Sequence, residues 1–404
     1  MSQVMICDEM MGRGKSSAAI NYINNSSDHE KFLVITPYLD EVKRYKEACK
    51  SKNFKEPNWS KGSKLETLKS MIYKGENIVS THALFQKFDK ELIEICEFLN
   101  YTLIMDEVAD VVDIYPISSY DQALLLEKYC DIEEETNLLL WRESEQDYDG
   151  KFEDEQYMCN LRSLAYYKGN FMMWLFPLEV FKAFKKIYIL TYMFNAQLQR
   201  YYYDYYHVEY SYIHVKGNSV DTYEFTDEPV THENAYDYKS LVHILDNEKM
   251  NSIGDEETSL SVSWYKNAKK TSIINQLKKN LHNFYVNVVK SSSKENLWTT
   301  FKDYQHPLSG KGYTKGFLAV NARATNDYRN RTSVAYVVNR YINPIIKNFF
   351  IDHGVSVDED GFALSEMIQF IWRSAIRDGK EITLYVPSSR MRNLLLNWLE
   401  EISK

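Results

Sequence analysis

Short apolar runs without internal alternation punctuate the first half of the chain. They fall at residues 4–7, 32–36, 77–80, 101–105 and 187–191. A strand with one wet face alternates apolar and polar residues, whereas a strand buried on both faces reads as a continuous apolar run. Helical patterns separate the first four runs, so the pattern predicts a parallel sheet with helices on both faces. A long insertion, about 111–185, stands between the fourth and fifth runs. The second half repeats the theme with strands expected at 260–264, 317–321 and 382–386, again separated by helices. The expected fold is α/β with two domains, 1–205 and 206–404. The Tyr-rich stretch 201–212 is expected at the join, its rings packed at the interface. A chain of 404 residues is long enough for two domains.

Composition narrows the class. Apolar residues make up 44% and charged residues 26%, which excludes wholesale disorder and a fibrous repeat. No apolar run approaches the roughly 18 residues of a membrane span, and no basic leader precedes the first strand, so a cytoplasmic protein with no membrane partner is expected. The five cysteines are widely spaced and form no CxxC pair, which fits a reducing compartment.

The net charge of −9 argues against a nucleic-acid binder, but its distribution changes that reading. Residues 131–156 hold eleven acids and two bases, so this segment carries the whole imbalance. Residues 261–315 hold ten Lys against Glu295 and Asp303, interleaved with aromatics such as Trp264 and Trp298. Cations for phosphates and flat rings for bases are what single-strand binding requires. The plainer alternative is a Lys-coated helix over about 267–280 with the aromatics in the core.

Chemistry concentrates after the first strand, in Glu9-Met10-Met11-Gly12-Arg13-Gly14-Lys15-Ser16-Ser17. A strand, a Gly-rich loop ending in Lys-Ser and then a helix make a phosphate-binding loop. Gly12 and Gly14 let backbone N–H groups of the 12–17 stretch turn toward phosphate oxygens. Lys15 supplies a cation for the β- and γ-phosphates of ATP, and Ser16 a hydroxyl for Mg²⁺. Glu9 stands where the loop ordinarily begins with a small residue. The fourth strand runs into Asp106-Glu107. Asp106 is placed to hold the Mg²⁺ shell, and Glu107 to polarise the attacking water.

These segments resemble the ATPases of helicase superfamily 2, the DEAD/DEAH-like group. The resemblance covers most of the chain outside 111–185. The stretches 323–344 and 369–392 look most like phage-encoded members. It implies two RecA-like domains with ATP hydrolysed in the cleft between them. It also assigns strand contacts to Thr36, to Ser80 and Thr81, and to Thr325 and Asn326. Gln369, Arg373 and Arg377, spaced by four on a helix expected over about 364–378, would face the γ-phosphate, with Arg373 the better spaced arginine. Thr191-Tyr192-Met193 stands where the family usually has small residues, which bears on coupling rather than on hydrolysis.

The expectation is therefore an ATP- and Mg²⁺-dependent helicase or translocase acting in phage DNA replication or recombination, with DNA placed ahead of RNA. Lys266, Lys269 and Lys270 are the candidate phosphate contacts, and the acidic insertion a candidate protein-docking surface. Two alternatives stand beside it: an ATP-dependent clamp or regulatory protein that does not unwind, and a packaging-type motor. The carboxylates Asp352, Asp358, Glu359 and Asp360 prompt the packaging reading, since such motors carry a nuclease. Residues 357–361 read equally well as an acidic turn before a helix.

Overall fold

The computed structural model describes residues 2–37, 39–60, 62–231, 234, 236–268, 272–320 and 328–403. It divides into two compact units, Met1–Val230 with Asn343–Val357, and Thr231–Ile342 with Asp358–Lys404.

The first unit is built on strands β1 (Gln3–Asp8), β2 (Phe32–Thr36), β3 (Ile78–Thr81), β4 (Thr102–Asp106), β10 (Lys186–Thr191), β11 (Tyr210–Lys216) and β12 (Glu224–Thr226). Their order across the sheet is β12-β11-β1-β10-β4-β2-β3, and every pair is parallel except β11 with β12. Every residue of β2 and β4 is buried, as the unbroken apolar runs require. Helix α1 (Lys15–Asn25) follows β1 and buries Ala18, Ala19, Ile20 and Ile23. Helix α2 (Leu39–Ala48) follows β2 and buries Val42 and Tyr45.

The insertion carries its own strands. Of these, β5 (Val112–Tyr115), β8 (Leu164–Tyr167) and β9 (Phe171–Leu175) form a three-stranded antiparallel sheet, and β6 (Cys130–Ile132) pairs with β7 (Leu139–Trp141). Its core holds Leu125, Trp141, Phe152, Leu164 and Met172.

Two expectations change here. The boundary drawn at 205/206 falls inside the first unit, because β11 and β12 complete its sheet and the unit continues to Val230. The Tyr-rich stretch is not a join either. Tyr201, Tyr202 and Tyr203 are buried on helix α3 (Leu198–Tyr205). The helix Pro344–Asp352, which returns to the first unit, packs Phe350 on Tyr201 and Phe349 on Tyr205, with ring centroids 5.9 and 5.1 Å apart.

The second unit holds a parallel sheet of β13 (Val242–Ile244), β14 (Asn296–Thr299), β15 (Ser333–Tyr336) and β16 (Ile382–Tyr385), in the order β13-β16-β15-β14. Both units are thus α/β with parallel sheets, as a pair of RecA-like domains should be. The strand expected at 260–264 is instead a turn followed by helix α4 (Val262–Ala268). Leu260 has φ +64°, which ends any extended run, and the Ser261 hydroxyl accepts from Trp264 N at 3.3 Å to start the helix. At 317–321, Phe317 makes only an isolated bridge to Trp298 and residue 321 lies outside the described residues. The Lys-rich stretch is two helices, α4 and α5 (Ile273–Asn283), the second continuing into a π-helical turn, Phe284–Val288.

Candidate nucleotide site

The loop after β1 has the backbone that its glycines permit. Gly12 and Gly14 have φ of +84° and +81°, left-handed values that strain any residue with a Cβ. At Gly14 a Cβ would also meet the Tyr223 ring at 2.5 Å. Gly14 is the N-cap of α1, so the first N–H groups of that helix open toward the loop. Lys15 Nζ donates to the carbonyl oxygens of Glu9 and Met10, at 2.5 and 3.2 Å. Glu9 is nearly buried, and its carboxylate meets His214 Nδ1 at 3.1 Å. The residue that departs from the usual loop thus has a local partner on β11.

β10 lies between β1 and β4, so the phosphate loop and the Asp-Glu pair stand about 10 Å apart, two inter-strand spacings. Side chains close that gap. The Ser16 hydroxyl donates to Asp106 Oδ2 at 3.0 Å. A hydroxyl and a carboxylate at this separation are a hard-oxygen pair that fits Mg²⁺. Asp106 is buried, and its pKa rises to about 7: burial is the main cause, followed by the charges of Glu107 and Glu41. Such a carboxyl is poised for a cation.

Glu107 adopts φ +78°, an uncommon conformation for a residue with a side chain. Its N–H donates to Leu190 O at 2.9 Å, and its Oε2 accepts from Thr191 Oγ1 at 3.3 Å. The end of β10 therefore fixes both the backbone and the carboxylate of Glu107.

Four further residues support the site, and of these only His82, which closes the Ser80-Thr81-His82 segment, falls in a stretch that the sequence marks. The buried Tyr45 hydroxyl lies 3.4 Å from Asp106 Oδ2. His82 Nε2 is 3.3 Å from Asp106 O. Asp8 accepts from Met193 N and Phe194 N at 2.7 and 2.9 Å, and so holds the turn after Thr191. Gln199 Oε1 accepts from Ala109 N at 2.8 Å and steadies the chain beyond Glu107. Tyr45, Asp8 and Gln199 belong to none of the motifs read from the sequence, so no local signal pointed to them.

The remaining candidates are more scattered. Arg13 and Ser17 sit in the loop and at the start of α1, with Ser17 Oγ 3.4 Å from Arg44. Thr36 and Thr81 are paired in register at the carboxyl ends of β2 and β3, with Ser80 buried beside them. In the second unit, helix α6 (Glu359–Ile371) carries Gln369 but ends before Arg373. Ser374 turns extended, with φ −80° and ψ −171°, and Arg377 lies in a separate 3₁₀ turn, Ala375–Asp378. The single helical face expected for Gln369, Arg373 and Arg377 is therefore broken. Lys266 is exposed on α4, while Lys269, Lys270, Thr325 and Asn326 lie outside the described residues.

Trp298 is corrected as well. It is fully buried and donates Nε1–H to Tyr313 O at 2.9 Å, so it is a core residue and no platform for a base. The carboxylates behind the nuclease alternative are dispersed. Asp352 pairs with Lys168 at 2.7 Å, Asp358 caps α6 through Gly361 N, and Asp360 pairs with Arg390. Among the described residues no group of three His, Cys, Asp or Glu side chains could hold a metal ion.

A relative from Bacillus subtilis (strain 168), described as SPbeta prophage-derived uncharacterized protein YonV, is 40% identical over 417 residues and covers 99% of both chains. The chain belongs to the YonV family. The family model described as YonV C-terminal Rossmann-like domain matches residues 236–399, within the second unit and the short segment that returns to the first. The YonV middle domain matches residues 112–174, which places the insertion as a family module. Among solved structures, a chain described as XPD_Helicase aligns with a TM-score of 0.47 at 10% identity, covering 99% of this YonV-family chain and 95% of that one. Among the described residues no helix is long and apolar enough to cross a membrane.

Proposed function

We propose that this YonV-family protein is an ATPase that uses ATP and Mg²⁺ to move along or remodel nucleic acid. The observation that carries the reading is the 3.0 Å contact between Ser16 and Asp106, made beneath a loop whose two glycines are left-handed. Ser16 and Asp106 would hold the metal, Lys15 and the N–H groups of residues 12–17 the phosphates. Glu107, fixed by Thr191, would orient the attacking water. The metal, when bound, neutralises charge on the transferring phosphoryl group. Arg373, with Gln369 and Arg377, is assigned to the γ-phosphate through the resemblance to superfamily 2. That resemblance and the prophage origin of the relative favour DNA as the partner.

The test is steady-state ATP hydrolysis by the full chain, with and without single-stranded DNA, followed by a strand-displacement assay. Stimulated turnover supports a motor. Slow turnover indifferent to DNA supports the clamp. Absence of Mg²⁺-dependent ATP binding overturns the reading.

A further inference from the structure

In the second unit the exposed side of α5 and the loop 310–313 enclose a groove of about 670 Å³. Lys278, Lys279 and His282 line one wall, with Asn275 a turn before them, and Lys311 stands on the other. Tyr313 forms the floor. It is buried, and its hydroxyl is satisfied by Leu308 O at 2.6 Å. Among the described residues no Asp or Glu lines the groove. Among the described residues, too, neither Lys278, Lys279 nor Lys311 has an acidic partner, whereas about half of the Lys and Arg residues of the first unit do.

A cluster of unpaired cations repels itself, so it persists only where solvation or an anionic ligand offsets the repulsion. Three of the other lining residues, Asn275, Asn283 and Asn287, carry neutral amides, whose N–H groups can bind phosphate oxygens without adding charge; Asn287 Nδ2 donates to Asn283 Oδ1 at 2.8 Å. The wall is also long. From Asn275 to Asn287 the helix and its π turn run on the order of 18 Å at 1.5 Å per residue. A single small anion would engage only one end of it. An extended chain of regularly spaced negative charges would engage the whole wall.

We propose that this groove binds the phosphodiester backbone of single-stranded nucleic acid, with Lys278, Lys279 and Lys311 contacting phosphates and Asn275 and His282 donating hydrogen bonds. The contacts are to the backbone, so binding is indifferent to sequence. The floor ring is packed inward and offers no face for stacking. The inference takes nucleic acid as the partner from the proposed function, but it does not depend on ATP turnover.

The test compares the full-length protein with its Lys278→Gln, Lys279→Gln, Lys311→Gln triple variant. Fluorescence anisotropy follows a labelled oligothymidylate across a salt series, and ATP hydrolysis and thermal melting are measured on the same samples. The expected result is a loss of affinity of about tenfold or more and a salt slope flatter by about two units, at roughly 0.7 per phosphate contact. Melting and DNA-independent hydrolysis stay unchanged. Equal affinity and equal slope in the two proteins overturn the groove and leave the ATPase reading standing. A wild-type protein that hydrolyses ATP but binds no oligonucleotide does the same. If binding depends on the three lysines while no ATP is hydrolysed, the groove stands and the ATPase reading falls.

Discussion

Thr191 Oγ1 donates to Glu107 Oε2 across 3.3 Å, joining the end of β10 to the carboxylate proposed to orient water. Thr191 is fully buried, and the turn after it is held by Asp8, so the hydroxyl cannot drift. Two substitutions separate the carboxylate from its support. Glu107→Gln should keep ATP affinity and lose turnover by orders of magnitude, since only water activation is removed. Thr191→Val should keep both affinity and fold and slow turnover about tenfold or more, the size of a lost hydrogen bond to a charged group. Single-turnover hydrolysis beside nucleotide titration checks both. Normal turnover in Glu107→Gln would mean that the base lies elsewhere.

Lys15 rests on the carbonyl oxygens of Glu9 and Met10, within the loop it is expected to serve. Replacing it by Ala removes the only Lys of that loop and should weaken binding of a fluorescent ATP analogue beyond detection at micromolar protein. The melting temperature should be little changed, because neither contact crosses the core.

The buried Asp106 gives a pH prediction for the protein without metal or nucleotide. Its pKa is raised from 3.8 to about 7, so between those values the folded chain binds more protons at this site than the unfolded one. Stability from this group is therefore greatest below pH 3.8 and is lost as pH rises toward 7. Asp106→Asn stays neutral and should melt a few degrees higher than wild type at pH 8. The gain should shrink steadily toward pH 5. Adding Mg²⁺ and ATP should stabilise the wild type and not the variant.

Arg373 follows α6 rather than lying within it, and its guanidinium has no partner among the described residues. Arg373→Ala should leave ATP affinity within tenfold and lower turnover on the order of 10³-fold, as loss of an arginine finger does. Arg377→Ala, in its separate 3₁₀ turn, should cost less. Equal effects of the two substitutions would show that the break after Ile371 does not sort their roles.

What the sequence revealed was whatever is contiguous. The loop 9–17 and Asp106-Glu107 are short strings read directly, and β1 to β4 and β10 of the first sheet announced themselves as short apolar runs, whereas β11 alternates and β12 has only three residues. In the second unit the signal was weaker for identifiable reasons. β14 opens on Asn296, which is buried because its amide donates to Gly312 O at 2.9 Å, so its polarity hid the strand. β13 has three residues, too few for any periodicity. Residues 260–264 alternate apolar and polar and mimic a strand, but φ at Leu260 and the Ser261 cap decide for a helix. Tyr45 and Gln199 reach the site from elements distant in the chain, and only the folded sheet brings them there.

The return of residues 343–357 to the first unit makes the chain cross between the two units three times, at 230/231, 342/343 and 357/358. No single cut frees one unit from the other. A protease that nicks the chain near residue 231 leaves the helix Pro344–Asp352 seated on Tyr201 and Tyr205 while still covalently continuous with the second unit. The nicked halves should therefore co-migrate under native conditions and part only in denaturant. A gene truncated at residue 230 would leave the Tyr201 and Tyr205 rings uncovered, and its product should aggregate unless the peptide 343–357 is supplied in trans.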